Sequence, residues 1–326
     1  MARNVQVKRY ALFCPILLLT ASCIFGCGKK SELTGKYSFE ERVSSFSSTG
    51  ENSFFPAFAA DVAVPALSDS TGEELSVKAA GVLSLDGGTA LYQKHLLDRV
   101  NPASTTKVMT SIIALKYGTL TDMVEIPPES VINEAGSSMA GVKPGDEMSL
   151  KDLLYGLLIP SGNDAANAIA VHVGGSIDQF VELMNEEAAR IGATQTHFAN
   201  ANGLTDPDHY TTAYDLYLMF HEALKYDLFR EIIGAHSYTA AYRGADGEEK
   251  TAVWSVGNYY MNGKTETPEG LTVFGGKTGT TQAAGYCLIM GNRDNTGREY
   301  ASVIMGAENR DGLYKNMTKI IENIVK

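Results

Sequence analysis

The sequence predicts an α+β domain: an antiparallel sheet to which both ends of the chain contribute strands, covered by helices drawn from its middle. Three observations predict it. Short strand-like runs occur at residues 79–94 and again at 285–305, helical periodicity is confined to the stretch between them, and 44% hydrophobic residues in a chain of 326 supply a packed core.

The first 26 residues stand apart from this pattern. Arg3, Lys8 and Arg9 precede an apolar stretch, 10–25, interrupted by Pro15, Thr20 and Ser22, which is the layout of a secretory signal. The stretch is short and broken for a spanning helix, which needs about 20 apolar residues; a tilted signal anchor is the competing reading. It ends in Ile24-Phe25-Gly26-Cys27-Gly28-Lys29-Lys30, which resembles a bacterial lipoprotein cleavage site, with Cys23 after Thr20-Ala21-Ser22 as the alternative. Lipidation of Cys27 would hold the protein on the outer face of the cytoplasmic membrane through its acyl chains. Cleavage there leaves Cys287 alone in the folded part, which excludes a disulfide framework and a thiolate metal site. Removing residues 1–26 takes away three basic and no acidic residues, so a formal charge of −11 becomes −14. So acidic a body is a poor partner for nucleic acid.

Residues 27–76 are expected to form a tether rich in Ser, Gly, Ala and Phe, with Phe54 and Phe55 as docking points, and residues 77–326 the folded domain. Runs 79–85 and 89–94 flank Asp86-Gly87-Gly88, a hairpin signal. Asn101-Pro102-Ala103 precedes Ser104, and the apolar run 108–117 follows, so Ser104 opens a helix. Ser149-Leu150-Lys151-Asp152 starts the next helix, with Leu150, Leu153, Leu154, Leu157 and Leu158 on its buried side, and Pro160 stops it. A helix over 164–171 is followed by the clearest one, over 177–191, where Ile177, Phe180, Val181, Met184, Ala188 and Ile191 keep the helical period after an N-cap at Ser176. Runs 285–290 and 300–305 flank a turn-rich stretch, 292–297, and make the closing strands.

Three short motifs stand in one order along these elements: Ser104-Thr105-Thr106-Lys107, Ser161-Gly162-Asn163 and Lys277-Thr278-Gly279. Taken singly, each has an ordinary explanation, as a capped helix start, a capped turn and a Gly-rich edge strand. Taken in order, they read as one acylating serine site. A helix N-terminus leaves backbone N–H groups free for an oxyanion, and Ser104 and Lys107, three apart, share a face. A serine hydroxyl needs a base, and a lysine serves only as the neutral amine, so its pKa must fall from about 10.4; burial and a second cation such as Lys277 both favour that. The glycines of Phe274-Gly275-Gly276-Lys277-Thr278-Gly279 let a substrate backbone lie close to this strand.

The triple occurs in penicillin-binding proteins and serine β-lactamases. Over residues 77–325 the chain resembles the low-molecular-weight penicillin-binding proteins, the D-alanyl-D-alanine carboxypeptidases. The resemblance is carried by Pro102-Ala103-Ser104-Thr105-Thr106-Lys107-Val108-Met109-Thr110, by 153–166 around Ser161-Gly162-Asn163-Asp164, by Gly276-Lys277-Thr278-Gly279, and by Gly203-Leu204 and 209–216. It implies a five-stranded antiparallel sheet with helices on both faces plus an all-helical subdomain. It implies further that Ser104 is acylated by the penultimate D-Ala carbonyl, with Lys107 as proton acceptor, Ser161 as proton relay and Asn163 bonding the substrate amide. Lys277, Thr278 and Gly279 would hold the terminal carboxylate and backbone, and the N–H groups of Ser104 and Thr280 would form the oxyanion hole. Arg310 is the match for the family's carboxylate-binding arginine, though its spacing differs and a solvated arginine beside Glu308 and Asp311 is the alternative. The implied partners are stem peptides ending in D-Ala-D-Ala and covalently bound β-lactams, with no cofactor and no metal; the six histidines have no metal-ligand company in the sequence. Carboxypeptidases of this kind often carry a second β-rich domain and a membrane-binding C-terminal helix, whereas 278–326 is enough only to finish one domain, so the N-terminal lipid would replace that anchor.

A class A β-lactamase needs a Glu-x-x-x-Asn loop to activate water, and 196–204, Thr-His-Phe-Ala-Asn-Ala-Asn-Gly-Leu, contains no glutamate. A penicillin-sensing receptor would use the same Ser-x-x-Lys but signal through membrane helices, against which the single cleavable-looking segment speaks. Trp254, Tyr259 and Tyr260 are read as core aromatics, with groove lining as the alternative. Hydrolysis and transfer to an amino acceptor are not separable on these residues.

Overall fold

The computed structural model of the protein describes residues 61–71 and 74–325. The signal segment, Cys23, Cys27, Phe54 and Phe55 lie outside those residues. Strands β1 (Ala63–Val64), β2 (Ala79–Ser84), β3 (Gly88–Thr89) and β4 (Tyr92–Lys94) come first, and a 3-10 turn, Ala103–Thr106, leads into α1 (Lys107–Tyr117). Then follow β5 (Met123–Glu125), β6 (Glu147–Ser149), α2 (Leu150–Leu158), α3 (Asn163–Gly174), α4 (Ile177–Arg190), α5 (Ala213–Ala223) and α6 (Asp227–Gly234). The chain closes with β7 (Ser237–Arg243), β8 (Glu249–Ser255), β9 (Leu271–Thr281), β10 (Gly285–Asp294), β11 (Glu299–Ala307) and α7 (Arg310–Ile321).

The expected five-stranded sheet is present in the order β4-β2-β11-β10-β9, antiparallel at each pairing. Its inner strands bury both faces. On β10, Leu288 and Met290 pack with Leu313, Met317 and Ile320 of α7, while Cys287 and Ile289 join the larger core with Met109, Ile112 and Phe220 of α1 and α5. A strand covered on both sides reads as a continuous apolar run, which is why 285–290 lacks polar alternation. Helix α1 is buried on every side over its first two turns because it lies inside the molecule, with Val108, Met109, Ile112, Ile113 and Ala114 sealed from solvent and the polar Lys107, Thr110 and Ser111 buried among them.

The helices expected over 150–158 and 177–191 form with the expected caps. Ser149 Oγ accepts from Asp152 N–H at 3.0 Å, and Ser176 Oγ from Gln179 N–H at 3.2 Å. Beside them lies a feature that periodicity did not reveal, a four-stranded antiparallel sheet in the order β5-β6-β7-β8. Ala240 on β7 and Trp254 on β8 are the buried residues of its long hairpin, too few to make an alternating pattern legible.

Two boundaries differ from expectation. The folded body starts before residue 77: Ala63 is sealed, its N–H donating to Tyr217 Oη at 2.7 Å, and Leu75 is buried as well. Beside these few apolar contacts, side-chain hydrogen bonds hold the segment, as Gln93 Nε2 donates to the Ala66 and Ser68 carbonyls, so hydropathy gave little sign of it. The 79–94 hairpin is wider than a tight turn. Ala80 pairs with Lys94 and Val82 with Tyr92, and within the excursion Gly88 and Thr89 pair in parallel with β1.

Candidate active site

The nucleophile turn is strained at its entrance. Ala103 has φ of 49°, in the left-handed region that alanine rarely adopts, and it feeds the 3-10 turn carrying Ser104 into α1, which starts at Lys107. One helical step puts Lys107 Nζ 3.1 Å from Ser104 Oγ. The same ammonium position reaches Asn163 Oδ1 at 2.6 Å and the Asn202 carbonyl at 2.5 Å. A neutral amine has two N–H donors and one lone pair. With both donors taken by carbonyl oxygens, the lone pair is left to face Ser104 Oγ and accept its proton.

Lys107 is fully buried, and burial first, then the neighbouring Lys277, holds its pKa well below the ordinary lysine value, with Asp164 opposing. Lys277, on the edge strand β9, is brought down to about 7 by burial. Its Nζ donates to Ser161 Oγ at 2.9 Å and to the Thr278 carbonyl at 2.7 Å. Ser161 sits at φ of 67° in the tight connection between α2 and α3, a second strained backbone position that turns its hydroxyl toward Lys277. Asn163 opens α3, and the Asp164 carboxylate beside it accepts N–H groups from Ala140, Gly141 and Val142 at 2.7, 2.7 and 3.1 Å. Trp254 Nε1 donates to the Ala140 carbonyl at 2.9 Å, so this loop is clamped from both sides.

Strand β9 passes directly against the nucleophile turn. A Cβ at Gly279 would lie 2.9 Å from the Ser104 nitrogen and 3.0 Å from that of Thr105, so glycine is what keeps the Ser104 amide open to a ligand. The structure thus brings Ser104, Lys107, Ser161, Asn163 and Lys277 into one site. Ser104, Ser161, Thr278, Gly279, Thr280 and Arg310 line one cleft of about 370 Å³. Arg310 stands at the first position of α7 with its guanidinium over the rings of Tyr259 and Tyr286, rather than paired with Glu308 or Asp311. A cation at a helix N-terminus opposes the helix dipole, which suits an anion bound there. Trp254 and Tyr260 are core residues, whereas Tyr259 is half-buried and stacked on Tyr314, with centroids 4.6 Å apart.

Sequence reasoning missed three contributors. Asn202 gives Lys107 a backbone oxygen and is itself held by Nδ2 on Asn167 Oδ1 at 3.0 Å. Asp164 anchors the facing loop, and His209 is buried behind the nucleophile turn. The 200–204 stretch carried a usable signal, since its Asn and Gly density marks a turn with exposed carbonyls.

Comparison with known proteins agrees with this geometry. A family model described as D-alanyl-D-alanine carboxypeptidase matches residues 66–309. A D-alanyl-D-alanine carboxypeptidase of Bacillus subtilis (strain 168) is 34% identical over 248 residues, 75% of this chain and 61% of that protein. One from Streptomyces sp. (strain K15) is 30% identical over 239 residues, 69% of this chain and 80% of that one. The crystal structure of the Streptomyces K15 DD-transpeptidase superposes with a TM-score of 0.72 at 27% identity, covering 78% of this chain and 98% of that one. The chain spans 61% and 59% of the length of matched relatives from Bacillus subtilis and Escherichia coli. The three motifs meet in one cleft, and the family match runs through all three of them, so the chain belongs to the D-alanyl-D-alanine carboxypeptidase family.

Proposed function

We propose that the protein is a serine D-alanyl-D-alanine carboxypeptidase that trims peptidoglycan stem peptides and is inhibited by covalent penicillin acylation. The observation that carries this is the Lys107 amine, held on two carbonyl oxygens with Ser104 Oγ at 3.1 Å. Lys107 takes the hydroxyl proton as Ser104 Oγ attacks the penultimate D-Ala carbonyl. The oxyanion is received by the N–H groups of Ser104 and Thr280, the second belonging to a strand with a free edge. Ser161, hydrogen-bonded to Lys277, passes a proton to the leaving D-Ala nitrogen, and water then releases the acyl-enzyme. Asn163 bonds the substrate amide, Thr278 and Gly279 lie along the peptide backbone, and Lys277 with Arg310 holds the terminal carboxylate.

A serine β-lactamase is the nearest alternative reading. Where that chemistry would want a carboxylate to drive water, Lys107 meets the Asn202 carbonyl, which cannot act as a base. Penicillin should therefore acylate and stay, while the peptide turns over. The test incubates the protein with labelled penicillin and with a diacyl-D-Ala-D-Ala peptide beside Ser104→Ala: the variant should lose both activities. Retention of either by Ser104→Ala, or rapid multiple-turnover penicillin hydrolysis, would end the assignment.

The site of action on this reading is extracytoplasmic, with 1–26 as leader and Cys27 as the lipid-bearing residue joined by a tether to the folded body. The basic start, the apolar stretch and the polar sequence after Cys27 support it. Among the described residues no helix is long and apolar enough to cross a membrane. Labelled palmitate should enter the wild-type protein and Cys23→Ala but not Cys27→Ala; the reverse pattern would move the anchor to Cys23.

A further inference from the structure

The strained start of the nucleophile turn is held from behind by a buried imidazole. We infer that His209 is a positioning residue, whose Nε2–H fixes the Thr106 hydroxyl, which fixes the Ala103 carbonyl and thereby the Ser104 amide and hydroxyl. The inference rests on Ser104 being the nucleophile, as proposed above.

The polarity of this relay is forced at each link. Nδ1 of His209 accepts the Ala199 N–H at 3.0 Å, so the ring proton sits on Nε2. Nε2 lies 2.8 Å from Thr106 Oγ1, and that hydroxyl spends its single proton on the Ala103 carbonyl at 2.8 Å. It must therefore accept from the imidazole. His209 is 1% exposed, with its carbonyl taking Asn101 Nδ2 at 3.3 Å and its N–H donating to the Asp206 carbonyl at 3.1 Å, so the ring has a fixed base. Phe198 meets it edge-on, with centroids 5.6 Å apart. Burial brings its pKa down to about 4, so the ring stays neutral and keeps one donor and one acceptor at working pH.

The anchored peptide is the one that needs it. Ala103 holds φ of 49° without a glycine's freedom, and its carbonyl is walled on another side by Gly203, where a Cβ would lie 2.0 Å from the Ala103 oxygen and 3.0 Å from the Ser104 nitrogen. Release of the carbonyl lets the 102–104 backbone relax and turns the Ser104 N–H away from the oxyanion position. A hydrogen bond is thus used to hold a geometry on which transition-state stabilisation depends, while the residues that bind the ground-state substrate stand elsewhere.

The experiment measures penicillin acylation rate, peptide kcat and KM, and Tm for the wild type, Ser104→Ala, His209→Phe, His209→Gln and Thr106→Val. Relative to the wild type, His209→Phe is expected to slow acylation and kcat about tenfold or more with KM changed less than about twofold. His209→Gln, whose amide can present an N–H near the Nε2 position, should recover most of the rate. Thr106→Val should show the same defect, and the His209→Phe/Thr106→Val double variant no further loss, because one chain has been cut twice. Thr106→Val alone carries the test if His209→Phe does not fold, since it removes the hydroxyl at constant shape. Wild-type rates in folded His209→Phe or Thr106→Val, or additive losses in the double variant, would overturn the inference. Absence of acylation in the wild type, or its survival in Ser104→Ala, would instead overturn the function on which it rests.

Discussion

Lys107 and Lys277 have opposite protonation requirements although they share one buried space. On the proposed function the base must be neutral, so activity rises with pH through the depressed pKa of Lys107. The same proposal makes Lys277 the carboxylate-binding cation, which must be charged, so activity falls as Lys277 loses its proton near 7. For the free enzyme, kcat/KM on a D-Ala-D-Ala peptide should therefore decline above about pH 7. Lys277→Arg, whose guanidinium stays protonated, should keep kcat/KM level to beyond about pH 9 even if its maximum is lower. An unchanged alkaline limb in that variant would remove Lys277 as its source. At this scale the sequence disclosed the groups with distinctive chemistry: two serines, two lysines and an amide, in three motifs. It did not disclose Asn202 or His209, because one works through a backbone carbonyl and the other through a tautomer fixed by tertiary contacts. Neither role leaves a mark in residue type.

Elements were legible wherever one face alone is buried and the ends are capped. Helix α4 is such a case, with Phe180, Met184 and Ala188 inside and Ser176 closing its first turn. Ser176→Ala should lower stability by about 1 kcal/mol, and Ser176→Gly by only a few tenths, read from urea midpoints at constant m-value. Equal losses in the two variants would mean that the side chain is not acting as a cap. The same helix carries a buried carboxylate that a hydropathy pattern excludes from a core. Glu187 is tolerated there because Arg190 and Lys116 hydrogen-bond it, at 2.6 and 2.7 Å, and together they hold its pKa down. Strands β7 and β8 escaped notice for the converse reason: they bury so little that their sheet is specified by backbone pairing from Ser237–Ser255 to Arg243–Glu249 rather than by apolar periodicity.

Across the whole molecule, the site works against the stability of the fold. A lysine that is charged when unfolded but has a depressed pKa when folded binds more protons in the unfolded state, so stability rises with pH between the two pKa values. For Lys277 that window runs from about 7 to the ordinary lysine value near 10.4. Lys277→Met should raise Tm most at or below about pH 7, and the gain should shrink toward pH 10. A gain independent of pH would assign the effect to packing instead. The overall architecture was legible because strands at both ends and helices between them leave few ways to close one sheet. That closure also sets a timetable. Ser104 and Lys107 are made early, whereas the strand that docks beside them, and the strand that holds it in register, are made late. A chain emerging N-terminus first carries its nucleophile in an inert form until residues 271–307 have zipped into place. Penicillin labelling of a growing or refolding chain would thus mark the moment when its two ends meet.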